Sequence, residues 1–350
     1  MSLQATIIKL LLKLPPSWLV RMSGGKPVEI GGRTLDPYFQ FIAHGARNQP
    51  GVSALTAQQF RQASADALAM LAAPMEPGIS AEDVSLKAPG RDIPARLYRP
   101  ADQNPEHPIL VYMHMGGGVI GDLETCHAFC SLLSDAIKAP VLSVEYRLAP
   151  EHKFPAGLDD CLFAYDWALK NAQTYGAPPA MAAIGGDSMG GNFAAIIAQE
   201  SKRQQKPVPA LQLLIYPATD IETKRASHTV YGDCYPLTTE LMDWFMGHYL
   251  NDDQDQTDPR ISPALAVGDL ANLPPAIVAT AGFDPLVDDG EAYAKALKGA
   301  GVPAEYVCYD SLAHGFTAFM AVSPAARKAC EDIAARLAKA YADLKVASPV

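Results

Sequence analysis

The stretch from Met181 to Gly191 reads Met-Ala-Ala-Ile-Gly-Gly-Asp-Ser-Met-Gly-Gly, and the fold of the whole chain can be inferred outward from it. Its first residues form a short apolar run typical of a buried strand, and an apolar helical pattern follows. Between them lies G-x-S-x-G, from Gly186 to Gly190, whose small residues allow a tight strand-to-helix turn. Such a turn lifts the serine hydroxyl clear of the sheet and directs free helix N–H groups towards it. We therefore predict that Ser188 is a nucleophile.

Short apolar runs alternate with helical patterns on both sides of this turn, from about residue 80 onward. Such alternation is typical of βαβ units, so it predicts an α/β fold with a mostly parallel central sheet flanked by helices. The predicted strands are Val84–Leu86, Ile93–Tyr98, Pro108–Met113, Val141–Val144, Met181–Ile184, Leu211–Ile215, Ala276–Ala281 and Ala304–Tyr309. The predicted helices of this part lie near 124–138, 157–174, 189–205, 290–299 and 324–342.

Two stretches do not follow the alternation. Residues 1–80 read as helical, including a helix from Gln58 to Ala73, and residues 217–273 contain no clear strand. A further helical pattern runs from Leu241 to Leu250. We interpret the two stretches as a helical cap, made of an N-terminal segment at 1–80 and an insertion at about 217–273. The core then spans 81–350.

Composition excludes several classes of function. The chain has 350 residues, 49% of them hydrophobic, a formal net charge of −10 and no run of Lys or Arg. Nucleic-acid binding requires a basic surface, so it is not expected. The six cysteines are scattered and complete no zinc-binding pattern, which favours reduced thiols in a cytoplasmic protein without a metal.

The N-terminal apolar stretch from Ala5 to Leu14 has two alternative interpretations. Lys9 and Lys13 interrupt it, and it is shorter than the roughly 20 residues that span a bilayer. Stable membrane insertion and a signal peptide are therefore not expected. The stretch is predicted to be an amphipathic helix that either packs on the protein or covers a substrate entrance.

A glycine-rich loop follows the strand that ends at Met113. It reads His114-Met115-Gly116-Gly117-Gly118 and precedes the nucleophile strand by two strands along the chain. Acyl transfer requires backbone N–H groups aimed at a developing oxyanion, and glycine lets the backbone approach closely. We predict that this loop forms an oxyanion hole.

Four motifs together resemble the bacterial hormone-sensitive-lipase family of esterases. They are His114–Gly121, Glu145–Glu151, Gly186–Gly191, and Asp284–Asp288 followed by His314-Gly315-Phe316. The resemblance covers about residues 80–340 and implies an α/β-hydrolase core with a mostly helical cap, no cofactor and carboxylesterase activity. It also implies that the oxyanion donors are the N–H groups of Gly116, Gly117 and Met189.

The acid and the base are expected after the late strands of this fold. Asp284 follows the strand 276–281 and His314 follows the last predicted strand, which gives the chain order Ser188, Asp284, His314. His314 would accept the serine proton, and Asp284 would fix its tautomer. Asp288 and Asp289, about one helical turn further on, are the alternatives for the acid.

The chain departs from the family pattern at two positions of the loop and at one after the nucleophile. Met115 stands where the family usually has glycine, Gly118 where it has an aromatic residue, and Met189 where it has alanine. We expect Met115, Gly118 and Tyr216 to contact the substrate. The missing ring at Gly118 predicts space for a bulkier group, unless the side chain of Met115 or Met189 fills it.

The predicted function is hydrolysis of short- to medium-chain carboxylic esters through an acyl-enzyme, with a small-molecule ester as the substrate. An amidase or thioesterase with the same triad is the alternative, because the cap selects the leaving group. A non-catalytic ligand receptor on this fold would be expected to lack a triad residue, and this chain has all three. The sequence leaves the oligomeric state open, and a homodimer is one of the states that it allows.

Overall fold

A computed structural model of the protein describes residues 10–47 and 51–344. Their strands are β1 (Glu29–Ile30), β2 (Arg33–Thr34), β3 (Ile79–Ala88), β4 (Arg91–Pro100), β5 (Ile109–Met113), β6 (Val141–Val144), β7 (Ala182–Asp187), β8 (Gln212–Ile215), β9 (Ala276–Phe283) and β10 (Ala304–Ala313). Their α-helices are α1 (Pro16–Met22), α2 (Pro37–Ala46), α3 (Ala57–Leu71), α4 (His127–Ile137), α5 (Ala156–Asn171), α6 (Met189–Arg203), α7 (Ala226–Val230), α8 (Thr239–Tyr249), α9 (Val287–Gly299) and α10 (Pro324–Ala342).

The central sheet has eight strands in the order β10-β9-β8-β7-β5-β6-β4-β3. Strands β5 to β10 pair in parallel, whereas β4 pairs antiparallel with both β6 and β3. Every residue of β5 to β9 is buried, as expected for parallel strands covered by helices on both faces. The predicted α/β-hydrolase fold with a mostly parallel sheet is therefore confirmed.

Several strands are longer than the hydrophobic pattern predicts, most clearly β3, β4 and β10. The β3–β4 hairpin pairs from Ile79 with Pro100 to Ala88 with Arg91, because backbone pairing continues beyond the apolar core of each strand. Strand β10 continues to Ala313 after a register shift, which places His314 at the end of the strand.

The N-terminal stretch is not wholly helical, so that prediction is wrong in one place. Strands β1 and β2 form a two-stranded hairpin around Gly31 and Gly32, both with positive φ. A Gly-Gly pair favours such a turn, because two-residue hairpin loops need positive φ that glycine adopts without strain. Residues 5–9 of the predicted Ala5–Leu14 helix lie outside the described residues. In the part of the chain that the structure covers, no helix is both long and apolar enough to cross a bilayer.

The order of strands in the sheet brings distant parts of the sequence together. Strand β5 lies beside β7 although β6 comes between them along the chain. Met113 at the end of β5 pairs with Gly186 near the end of β7. The glycine-rich loop after β5 therefore starts next to the turn that carries Ser188.

Candidate active site

The turn between β7 and α6 holds Ser188 in a strained conformation. Ser188 has φ +56° and ψ −117°, and α6 begins at the next residue. Non-glycine residues rarely adopt positive φ, and such strain persists only where surrounding structure imposes it. A Cβ at Gly190 would overlap the carbonyl of Met113, and one at Gly186 would overlap the backbone of Gly190. Gly186 and Gly190 therefore allow helix α6 to approach the ends of β5 and β7.

Three side chains from different strand ends form one hydrogen-bonded chain. His314 Nε2 lies 2.9 Å from Ser188 Oγ, and His314 Nδ1 lies 2.7 Å from Asp284 Oδ2. Asp284 is completely buried, while His314 and Ser188 keep 6% and 8% of their surface exposed. In this geometry Nδ1–H donates to the carboxylate, so Nε2 is free to accept the hydroxyl proton of Ser188.

The alternative acids point away from His314. Asp289 accepts hydrogen bonds from Arg225 Nε at 2.9 Å and is 2.8 Å from His228 Nε2. Asp288 accepts the backbone N–H of Ser227 at 2.9 Å. Both carboxylates thus hold the residues around α7, and Asp284 is the one that contacts the histidine.

A buried cluster of three polar residues, Tyr216, Asp187 and Thr317, packs beside the His314 imidazole through the ring of Tyr216. The ring of Tyr216 packs 4.6 Å from the imidazole, centroid to centroid, and its hydroxyl donates to Asp187 Oδ2 at 2.9 Å. Thr317 Oγ1 donates to the same oxygen at 3.0 Å, and burial raises the pKa of Asp187 above its ordinary value. The prediction that Tyr216 contacts the substrate is wrong, because its side chain is fully buried behind the imidazole.

The glycine-rich loop makes a tight turn beside Ser188. Gly116, Gly117 and Gly118 all have positive φ, and the Gly116 carbonyl accepts the N–H groups of Val119 and Ile120, each at 3.0 Å. Met115, Gly116, Gly117 and Met189 line the same cavity as Ser188. The three residues predicted to donate to the oxyanion thus line the cavity that contains Ser188, and their role stays a prediction.

His114 holds the base of this loop and does not contact Ser188. Its Nδ1–H donates to the carbonyl of Met115 at 2.7 Å, and its ring stacks on Tyr146 with centroids 4.2 Å apart. Burial lowers the pKa of His114 to about 4, so the ring is neutral at pH 7. The Tyr146 hydroxyl donates to the His114 carbonyl at 2.8 Å.

Arg61 of α3 connects the predicted cap to the loop, a role that the sequence motifs do not indicate. Its Nε donates to the Val119 carbonyl at 2.6 Å, its Nη2 to the Ala149 carbonyl, and both Nη atoms to Glu151. The guanidinium lowers the pKa of Glu151 to about 2. Nothing in the sequence around Arg61 indicates this role. Glu151, however, belongs to the Glu145–Glu151 motif, which could have indicated the ion pair.

A cavity of about 1140 Å³ opens above Ser188 and His314. Its walls are largely apolar, and they come from α2, α3, α8, the glycine-rich loop, the loops before α8 and the residue that precedes α9. The apolar side chains include Phe60, Leu68, Leu237, Leu241, Phe245 and Leu286. Across residues 10–47 and 51–344, no three His, Cys, Asp or Glu side chains converge as metal ligands would.

The predicted space at Gly118 is filled, so that prediction is wrong. Gly118 does not line the cavity, and a Cβ built there would lie 2.7 Å from the ring of Tyr249. A Cβ at Gly117 would likewise overlap the ring of Phe245. Helix α8 thus places two aromatic rings, one turn apart, directly on the loop. Met115 does line the cavity that contains Ser188, and its contact with the substrate stays a prediction.

Replacing Gly118 by Phe should lower the melting temperature and the activity on small and bulky esters alike. The new ring would collide with Tyr249, and φ of +72° adds backbone strain. In Gly118→Phe/Tyr249→Ala the second change removes the collision, so the double variant should be more stable than the two single effects predict. Coupling of about 1 kcal/mol or more in a double-mutant cycle of unfolding is expected. Additive effects, or a loss restricted to bulky esters, would contradict the contact.

Comparison with known proteins places this geometry in a family. Residues 110–318 match a family model described as the α/β-hydrolase fold. The carboxylic ester hydrolase LipN of Mycobacterium tuberculosis is 40% identical over 89% of this chain and 86% of its own. The ethyl acetate hydrolase of Pseudomonas putida is 36% identical over 81% of this chain and 90% of its own.

Solved structures agree with the sequence matches. An ester hydrolase from the metagenome of Lake Arreo superposes with a TM-score of 0.84 at 37% identity, over 88% of this chain and 99% of that one. A hyperthermophilic esterase from Pyrobaculum calidifontis gives 0.78 at 38% identity, over 86% and 96%. The resemblance seen in the motifs is confirmed, and the chain belongs to the α/β-hydrolase family, among its carboxylic ester hydrolases.

Proposed function

We propose that this esterase hydrolyses short- to medium-chain, uncharged carboxylic esters through an acyl-enzyme formed on Ser188. The observation that carries the proposal is the continuous chain from Asp284 through His314 to Ser188, which ends in a largely apolar cavity. Relatives named carboxylic ester hydrolase and ethyl acetate hydrolase support the same class of substrate.

In the proposed acylation step, Ser188 Oγ attacks the ester carbonyl carbon while His314 Nε2 accepts its proton. The negative charge that develops on the carbonyl oxygen is stabilised by the N–H groups of Gly116, Gly117 and Met189. His314 then gives the proton to the leaving oxygen, and the alcohol departs. Asp284 stays ionised and stabilises the imidazolium.

Deacylation repeats the same sequence with water as the nucleophile. His314 accepts a proton from water as the oxygen attacks the acyl carbon, and the tetrahedral intermediate collapses to release the carboxylic acid. The proton returns to Ser188 Oγ, which restores the starting state. No redox group or metal takes part in this scheme.

The division of the chain belongs to this proposal. Residues 1–80 and about 217–273 form the cap and 81–350 otherwise form the core, which is supported by the walls that α3 and α8 contribute to the cavity. We also propose that the protein is cytoplasmic, because all six cysteines are free thiols. The cap residues that line the cavity would also select the leaving group. Hydrolysis of an amide or a thioester is therefore the alternative activity.

Ser188→Ala should abolish labelling by a fluorophosphonate probe and reduce kcat by about 10⁴ to 10⁶. The native protein should be labelled once, and mass spectrometry of the labelled peptide should place the adduct on Ser188. The melting temperature of the variant should stay close to that of the native protein, because the change removes one oxygen at the cavity wall. Labelling that persists in Ser188→Ala would reject the assignment.

Asp284→Asn should reduce kcat by about 10³ to 10⁴ with little change in KM, because the amide no longer holds the productive imidazole tautomer. Asp288→Asn is the matched control, since that carboxylate accepts the backbone N–H of Ser227 in α7. It should change kcat far less. Equal losses in both variants would show that the acid is not Asp284.

Activity should rise with acyl length and then fall within one homologous series of p-nitrophenyl esters. Each buried CH₂ adds about 0.8 kcal/mol, or roughly fourfold in kcat/KM, until the cavity wall is reached. The best substrate is expected between about two and eight acyl carbons, where further chain no longer gains burial. A thioester and an anilide of the best acid should be slower. Highest activity on long-chain triglyceride emulsions, or on the anilide, would overturn the proposal.

A further inference from the structure

The first 28 residues differ in charge from the rest of the chain. They contain Lys9, Lys13, Arg21 and Lys26 and no Asp or Glu, in a protein whose formal net charge is −10. They are also rich in Leu, and they include Trp18. A basic, apolar segment on an acidic protein complements a surface that is both anionic and apolar inside.

Helix α1 exposes part of this apolar content. Leu19 is fully buried, whereas Trp18 and Met22, one turn apart and so on the same face, are 58% and 43% exposed. Lys13, Arg21 and Lys26 are exposed as well. Among the described residues, no carboxylate lies within ion-pair distance of these three cations. The exposed apolar side chains and the three cations thus lie within one short stretch of the chain, residues 13–26.

The segment is held firmly on α2, so the exposure of Trp18 does not come from a frayed end. Gln40 is buried, and its Nε2 donates to the carbonyls of Ser23 at 3.0 Å and Lys26 at 2.9 Å. Its Oε1 accepts the N–H of Val28 at 3.0 Å. Helix α2 ends at Ala46, which lines the catalytic cavity together with Ala43. One helix therefore joins the exposed segment to the cavity wall.

We propose that Lys13, Trp18, Arg21, Met22 and Lys26 form a docking surface for an anionic lipid bilayer. The Trp18 and Met22 side chains would enter the headgroup region, where amphipathic aromatic rings are favoured, while the cations contact lipid phosphates. A second copy of this chain is a poorer occupant, because a two-fold contact would bring like charges together. Docking brings the α2 end of the cavity near the membrane, where apolar esters concentrate.

Flotation of the full-length protein with vesicles tests this surface. Vesicles of equal parts phosphatidylglycerol and phosphatidylcholine should carry the protein upward at low salt, and vesicles of phosphatidylcholine alone should not. Binding should weaken at high salt, since the ionic atmosphere screens exposed charges. Lys13→Gln and Arg21→Gln should each weaken partition about fivefold, and together about 25-fold. Trp18→Gln should weaken it about tenfold.

A matched control removes equivalent groups elsewhere. Val267 is 65% exposed, and Lys298 and Lys328 are exposed cations outside the segment. Val267→Gln with Lys298→Gln and Lys328→Gln should leave partition unchanged, and all variants should keep native kcat/KM on a soluble acetate ester, which shows that they fold. Equal flotation with both vesicle types, or equal losses in the control, would overturn the proposal. A protein that does not float but forms a concentration-dependent dimer would also overturn it. If Trp18→Gln abolishes that dimer, the surface binds a second copy of the chain.

Discussion

The close approach of helix α6 to the ends of β5 and β7 is the constraint on which the rest of the site depends. Gly186 and Gly190 permit this approach, because a Cβ on either would overlap neighbouring backbone. The chain must then pass through Ser188 at φ +56°, a conformation that only dense surrounding packing sustains. The strained turn places the Ser188 hydroxyl at the wall of the cavity, 2.9 Å from His314 Nε2.

The imidazole is positioned as strictly as the serine. Asp284 holds one of its nitrogens, and the ring of Tyr216 packs on its side. Tyr216 is in turn fixed by Asp187, a fully buried carboxylate that also accepts from Thr317. Burying a polar side chain is costly without hydrogen bonds, and Asp187, Tyr216 and Thr317 supply such bonds to one another where β7, the end of β8 and the loop after β10 meet. These side chains support the proposed base without reaching the cavity.

Helices α3 and α8, which belong to the proposed cap, pack directly on the glycine-rich loop. Phe245 and Tyr249 of α8 lie directly against Gly117 and Gly118, and Arg61 of α3 holds the carbonyl of the next residue. Loop glycines and cap aromatics therefore depend on one another: a side chain on the loop would displace a ring of the helix. Because α8 supplies the rings, the loop residues Gly117 and Gly118 carry no side chains and present only their backbone. An exposed backbone suits the proposed stabilisation of an oxyanion by N–H groups. The walls of the cavity and the predicted oxyanion donors are thus parts of one packed unit.

Local patterns in the sequence were sufficient to predict the fold class and the three hydrogen-bonded side chains, Ser188, His314 and Asp284. Apolar runs identify buried strands, and G-x-S-x-G between a strand and a helix specifies a turn, because both follow from nearest-neighbour geometry. The Gly31-Gly32 hairpin could have been predicted in the same way. Contacts between segments that are distant in the sequence could not be predicted from such local patterns. Nothing local to Gly118 shows that Tyr249, more than a hundred residues later, fills its space, or that Tyr216 faces away from the cavity. Nor does the sequence near Arg61 show its bonds to Val119 and Glu151. Side-chain packing across the sheet and the cap depends on which strands become neighbours, and only the folded chain decides that.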